Sequence, residues 1–152
     1  MNMSQDIKQY HSNGALRSHF DGKIYKEYRA DGSLRIEVPC NESGTRYHGV
    51  WKLYDHDKLK TTKTYVEGRV LGDVCQYYSN GQLKSQVYMK QDWNNHLWRE
   101  GESKTWNAAG VLTSECNFVN DKLHGELKRW DDKGQLIEHK MFDNGVEVEQ
   151  PS

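Results

Sequence analysis

The sequence is poor in proline and cysteine, and it contains no long apolar run. Pro39 and Pro151 are the only prolines. Both are expected to lie outside strands, because proline takes a donor out of a sheet ladder. The three cysteines, Cys40, Cys75 and Cys116, are odd in number and widely spread. That pattern is neither a disulfide framework nor a zinc-binding spacing. Cys75 and Cys116 fall in predicted strands and are expected to act as small packing residues. No stretch approaches the roughly 20 apolar residues of a membrane span. The opening MNMSQDIKQY lacks the apolar core of a signal peptide, so a cytoplasmic location is expected. An excess of one charge is missing as well: 21 Lys and Arg stand against 22 Asp and Glu, a net charge of −1. Binders of nucleic acid or anionic membranes usually carry a basic excess. Hydrophobic residues make up 35% of the chain and mean hydropathy is −1.01. A thick core covered on both sides would be hard to fill from that inventory.

Aromatic residues, by contrast, are plentiful. Nine Tyr, five Trp and three Phe, with a near-zero net charge, argue against disorder. They suit a thin sheet with open faces. The 152 residues are a one-domain length.

The aromatics are periodic. YHSNGAL (10–16), YRADGSL (28–34), YYSNGQL (77–83), WNAAGVL (106–112) and WDDKGQL (130–136) share one frame of aromatic, Gly and Leu. YDHDKL (54–59) is a sixth copy, one residue shorter and without the Gly. The anchor aromatics are therefore Tyr10, Tyr28, Tyr54, Tyr77, Trp106 and Trp130, and the turn glycines are Gly14, Gly32, Gly81, Gly110 and Gly134. A second glycine, Gly49, Gly72, Gly101 or Gly125, precedes four of the anchors. Asn13-Gly14, Asp31-Gly32 and Asn80-Gly81 are hairpin-turn dipeptides, because tight hairpin turns require positive φ. After each Leu, small or apolar residues alternate, as in Leu112, Ser114, Cys116 and Phe118. That period of two indicates a strand. Second turns follow at Asp21-Gly22, Glu67-Gly68, Asn120-Asp121 and Asn144-Gly145.

The expected fold is all-β: an elongated meander of stacked antiparallel hairpins forming a single twisted sheet. About ten to twelve short strands are expected, since a lone hairpin is marginal in water. Residues 1–152 form one repeat domain, with six degenerate hairpin repeats over about 6–146 and short flexible termini. No helical period is evident.

GDVCQYYSNGQLKSQVYMK (72–90) and HGELKRWDDKGQLIEHKMFDNG (124–145) resemble MORN-repeat variants of the kind found in YwqK-type antitoxin proteins. The Lys two residues before the anchor recurs as Lys8, Lys26, Lys52, Lys104 and Lys128, with Cys75 the one departure. The resemblance covers roughly residues 6–146. It implies stacked hairpins and, in the antitoxin branch, neutralisation of a partner toxin by direct binding. Repeats of this type also occur in scaffolding proteins and in proteins proposed to touch membranes.

Chemical motifs are sparse. His11, His19, His48, His56, His96, His124 and His139 are scattered through different frames of the repeat. No Cys-x-x-Cys or His-x-x-x-His pair occurs. The densest cluster, Tyr54-Asp55-His56-Asp57, lies in the shortened turn and reads as solvated. No Walker-type phosphate loop is present. The expectation is a non-enzyme with no catalytic residue, cofactor or metal.

Two insertions break the frame. MKQDWNNHLWRE (89–100) fills the longest interval between anchors and offers Trp93, His96, Trp98 and Arg99. VPCNESGTRYHG (38–49) offers Arg46 and Tyr47. Loops that interrupt a repeat scaffold often carry binding residues, and Trp, Tyr and Arg are enriched at binding hot spots. These six residues are the candidate partner-binding set. The alternative is that the tryptophans fold back to cover the sheet. The functional expectation is an immunity protein, monomeric when free, whose partner is a cognate toxin and not nucleic acid. The competing expectation is a scaffold or membrane-surface repeat protein without a toxin partner.

Overall fold

In all six copies the anchor aromatic and the following Leu are cross-strand partners: Tyr10 with Leu16, Tyr28 with Leu34, Tyr54 with Leu59, Tyr77 with Leu83, Trp106 with Leu112, and Trp130 with Leu136. Aromatic–aliphatic pairs of this kind contribute roughly 0.2–1 kcal/mol each. Next to every pair the return strand carries one extra residue. It is Arg17, Arg35, Lys60, Lys84, Thr113 or Ile137, and each makes a β-bulge at the equivalent place. The shortened third copy keeps both the pair and the bulge. Its missing residue has come out of the turn alone.

The computed structural model describes residues 6–150, so Pro151 and the outermost residues of the expected flexible termini lie outside it. Its strands are β1 (Ile7–Tyr10), β2 (Leu16–Phe20), β3 (Ile24–Tyr28), β4 (Leu34–Pro39), β5 (Gly49–Asp55), β6 (Lys58–Val66), β7 (Arg69–Tyr77), β8 (Leu83–Gln91), β9 (Leu97–Trp106), β10 (Leu112–Val119), β11 (Lys122–Leu123), β12 (Gly125–Trp130), β13 (Leu136–Asp143) and β14 (Val146–Val148). All pair antiparallel in one sheet, in chain order, with the two-residue β11 set beside β10 off the main path. No helix occurs among the described residues. There are fourteen strands instead of about ten to twelve, because β11 and β14 are very short pieces closed by tight turns. Pro39 is also not outside a strand: it is the last residue of β4 and sits opposite Ile24. At a strand end its missing N–H disturbs little of the ladder.

The sheet is thin. Val38, Val70 and Phe118 are the buried apolar residues among those described, and of these Val38 alone is fully buried. Accessible surface is 10000 Å², whereas a compact monomer of this mass exposes about 8,000 Å². At about 4.8 Å between neighbouring strands, the thirteen-strand path is roughly 60 Å across. Burial is improved by a small-against-large rule. The strand glycines Gly49, Gly72, Gly101 and Gly125 lie opposite Tyr65, Met89, Phe118 and Phe142. Each bulky side chain thus faces a partner that has none.

A hairpin meander has two long rims. One carries the repeat turns, with Gly14, Gly32, Gly81, Gly110 and Gly134. The other carries the connections between repeats: Asp21-Gly22, residues 40–48, Glu67-Gly68, residues 92–96, Asn120-Asp121 and Asn144-Gly145. Both insertions therefore lie on the second rim.

Candidate functional site

The second rim is built from turns whose chemistry the sequence dictates. At Glu67-Gly68, Asn120-Asp121 and Asn144-Gly145 both central residues have positive φ, the two-residue hairpin geometry matched to strand twist. The insertion at 92–96 is different. Asn95 N–H donates to the Asp92 carbonyl at 3.2 Å, and Asp92 N–H donates to the His96 carbonyl at 3.0 Å. Asp92 Oδ1 accepts the N–H groups of Asn94 and His96 at 2.9 and 3.0 Å. Asp131 organises the last repeat turn in the same way, accepting from Lys133 and Gln135. The apparent insertion is thus a longer β8–β9 hairpin closed by another copy of the repeat turn, with Asn95 (φ 63) where the repeats place Gly. Trp93, next after Asp92, is carried to the tip and is 63% exposed.

The residues at 40–48 fold over the sheet. Asn41 Oδ1 accepts the N–H groups of Thr45 and Arg46, and Gly44 lies so close to the Phe20 ring that a Cβ there would stand 2.8 Å from its Cζ. Tyr47 enters an aromatic cluster, stacked on Tyr25 at 6.4 Å and edge-on to Tyr65 at 5.6 Å. Burial in this cluster raises the phenol pKa values of Tyr47 and Tyr65.

The two insertions meet at Trp93. The Arg46 guanidinium carbon lies 5.1 Å from the centre of its ring, and that of Arg69 lies 3.9 Å from it. Arg69 opens β7 just after the Glu67-Gly68 turn, which stands between the two insertions along the rim. The sequence set omits Arg69. Its signal was available: connections between successive repeats share one rim, so the short turn between two insertions joins whatever they build. Together with Thr45, Gly68 and Asp92 these residues line an open groove of about 490 Å³.

The other candidates lie further along the same rim in separate contacts. Trp98 is half-buried in β9 opposite Lys90 and stacks on His96 with centroids 5.6 Å apart. Arg99 covers the Phe118 ring at 4.0 Å and donates from Nε to Asp121 Oδ1 at 2.6 Å. That hydrogen bond is the main cause of the lowered Asp121 pKa.

The recurring lysines form one cross-strand row running Lys8, His19, Lys26, Glu37, Lys52, Thr62, Cys75, Gln86, Lys104, Glu115, Lys128, His139. Acids compensate much of it: Lys26 pairs with Glu37 at 3.7 Å, Lys104 with Glu102 at 3.1 Å and Lys128 with Glu126 at 2.8 Å. The three thiols are half-buried and unbonded to one another, and burial raises their pKa values, which disfavours the reactive thiolate. His56 lies at the tip of the shortened turn with Nδ1 2.8 Å from Asp55 Oδ1. Among the described residues, no three His, Cys, Asp or Glu side chains gather as a metal site. No helix there is long and apolar enough to cross a membrane.

Comparison with known families agrees with this architecture. The family model described as MORN repeat variant matches residues 71–91, 99–120 and 123–144. These are the hairpins of the fourth, fifth and sixth copies. No curated protein matches the chain.

Proposed function

We propose that the chain is a binding module that acts without a catalytic step, and that it serves as an immunity protein neutralising a cognate toxin by direct contact at the second rim. The observation that carries this reading is the junction of both frame-breaking insertions around one exposed tryptophan. Trp and Arg are over-represented among residues that dominate binding energy, and such residues act from the centre of a patch. Elsewhere the repeats hold a regular register, and the rim adds a local surface that the register does not require. The antitoxin part of the reading rests on the resemblance of the repeats to that branch. Contact with an anionic membrane is less favoured, because the lysine row is largely compensated by acids.

The test is site-specific photo-crosslinking in the native host, with the crosslinker at position 93 and, as control, at position 109 on the opposite rim. The expected product from position 93 is one protein that stops growth when produced alone and is harmless when co-produced with this chain. A harmless partner would overturn the immunity reading in favour of a scaffold. Equal capture from both positions would overturn the assignment of the rim.

A further inference from the structure

We propose that Arg46 and Arg69, held against the Trp93 ring, form a seat for a single carboxylate, an Asp or Glu side chain on the surface of the partner protein. This deepens the reading of the rim as the partner-binding surface and rests on it.

Arg99, on the same rim, is neutralised by Asp121. Arg46 and Arg69 are not: among the described residues neither guanidinium has an ion pair or a side-chain hydrogen bond, and Arg69 Nε is buried without a partner. The acids within the groove are already committed. Glu67 accepts from Asn41 Nδ2 at 3.0 Å, and its backbone N–H donates to His48 Nδ1 at 3.2 Å. Asp92 Oδ1 is filled by two backbone N–H groups of its own turn. Two fixed cations therefore have no direct ion pair, in a groove that the Glu67 and Asp92 carboxylates also line.

They are also held in place. The Arg46 stem runs along Gly68, where a Cβ would lie 3.5 Å from three of its carbons. Stacking on an aromatic face occupies a guanidinium plane and leaves the terminal Nη donors as the ones that match a carboxylate in forked geometry; the buried Arg69 Nε is not among them. Restricting two long side chains beforehand lowers the entropy cost of engaging a ligand.

The seat suits one carboxylate better than a run of phosphates. A nucleic-acid backbone is bound by many spaced cations. Here Glu67 and Asp92 border the groove, and Arg99 beyond it is already neutralised.

The test titrates the full chain with a hexapeptide of alternating Gly and Glu, its Gln counterpart, and oligo-dT. The readout is the NMR shift of the Trp93 indole N–H and the Arg69 Nε–H. The Glu peptide is expected to shift both saturably and to bind about tenfold or more tightly than the Gln peptide, the scale of charge-assisted hydrogen bonds. Arg46→Gln/Arg69→Gln should abolish the difference with an unchanged melting temperature, and Arg46→Gln alone should halve the response if the double variant folds poorly. Equal response to both peptides, no response to either, or tighter binding of oligo-dT would overturn the carboxylate seat. The crosslinked partner separates this inference from the reading beneath it. If Trp93→Ala weakens that partner and Arg46→Gln/Arg69→Gln does not, the seat fails and the rim stands. If neither weakens it, the rim itself fails.

Discussion

At the scale of single residues, the glycines divide into two kinds that the sequence alone does not separate. Gly81 has φ +87, and nothing lies within 4 Å of where its Cβ would be. Its requirement is conformational only. Gly81→Val is therefore expected to cost about 1–3 kcal/mol, the price of a non-Gly residue in that region. Gln82→Val should cost less, and melting temperatures of the two variants check this. Gly72 has both constraints. Its φ is +134, and a Cβ would stand 2.9 Å from Thr64 Cβ. Gly125 has φ +90 and open space. Gly72→Ala is expected to destabilise more than Gly125→Ala, with the excess reporting the contact with Thr64; equal unfolding midpoints in urea would contradict it. The positive φ of the repeat glycines was legible from the Asn-Gly and Asp-Gly dipeptides. The role of the preceding Asn was legible only in part. Asn13, Asp31 and Asn80 do not adopt positive φ; their side chains accept the N–H two residues on. In the fifth and sixth copies Asn107 and Asp131, next after the anchor, take over that work. Ala109 and Lys133 are thereby free to precede the glycine. Composition at one position thus looked degenerate while the hydrogen bonding was conserved within the array.

At the scale of the element, hairpins are joined by more than the ladder. The residue after the anchor reaches the carbonyl of the next anchor: His11 Nε2 to Tyr28 at 2.8 Å, Arg29 Nη2 to Tyr54 at 2.6 Å, and the Tyr78 hydroxyl to Trp106 at 2.8 Å. Asn13 and Asn80 likewise donate to Ala30 and Ala108 in the following turn. None of this was readable beforehand, because it depends on which hairpins become neighbours. Turn carboxylates set the acid behaviour. Asp21, Asp31 and Asp121 are held below the ordinary value of 3.8 by hydrogen bonds from the Ile24 N–H, from Ser33 and from Arg99. A depressed folded-state pKa stabilises above the unfolded value and is lost as pH falls through the folded one. Melting temperature should therefore drop below about pH 4, and Asp121→Asn should make that drop shallower. The rim hairpin gives a second element-scale prediction. Trp93 is exposed, whereas Trp98 is half-buried on His96. Trp93→Ala should weaken the partner by about 2 kcal/mol with little change in stability. Trp98→Ala should lower the melting temperature first. Calorimetry of each variant, alone and with the crosslinked partner, measures both, and a stability loss confined to Trp93→Ala would reverse the assignment.

At the scale of the whole molecule, the register was the most legible feature, because aromatic, Gly and Leu recur in one frame and each marks a defined place in a hairpin. The rim junction was the least legible. Trp93 and Arg46 come from two separate connections and Arg69 from the start of β7, and only the strand order brings them together. Stability should also vary along the array. Repeat proteins of this kind hold mainly through nearest neighbours. Along the main path the strands are longest in the middle, nine or ten residues in β6 to β9, and shortest at the ends, four in β1 and three in β14. Hydrogen-exchange protection is therefore expected to peak in β6–β9 and fall toward both ends; uniform protection would show a single cooperative unit instead. The same strand order has a mechanical consequence. Because neighbours in the sheet are neighbours in the chain, tension applied across β1 and β14 loads the ladder one strand at a time, as a zipper is loaded, and not all at once in shear. Such a sheet yields in small steps under low force, lengthening hairpin by hairpin while the remaining rim keeps its shape.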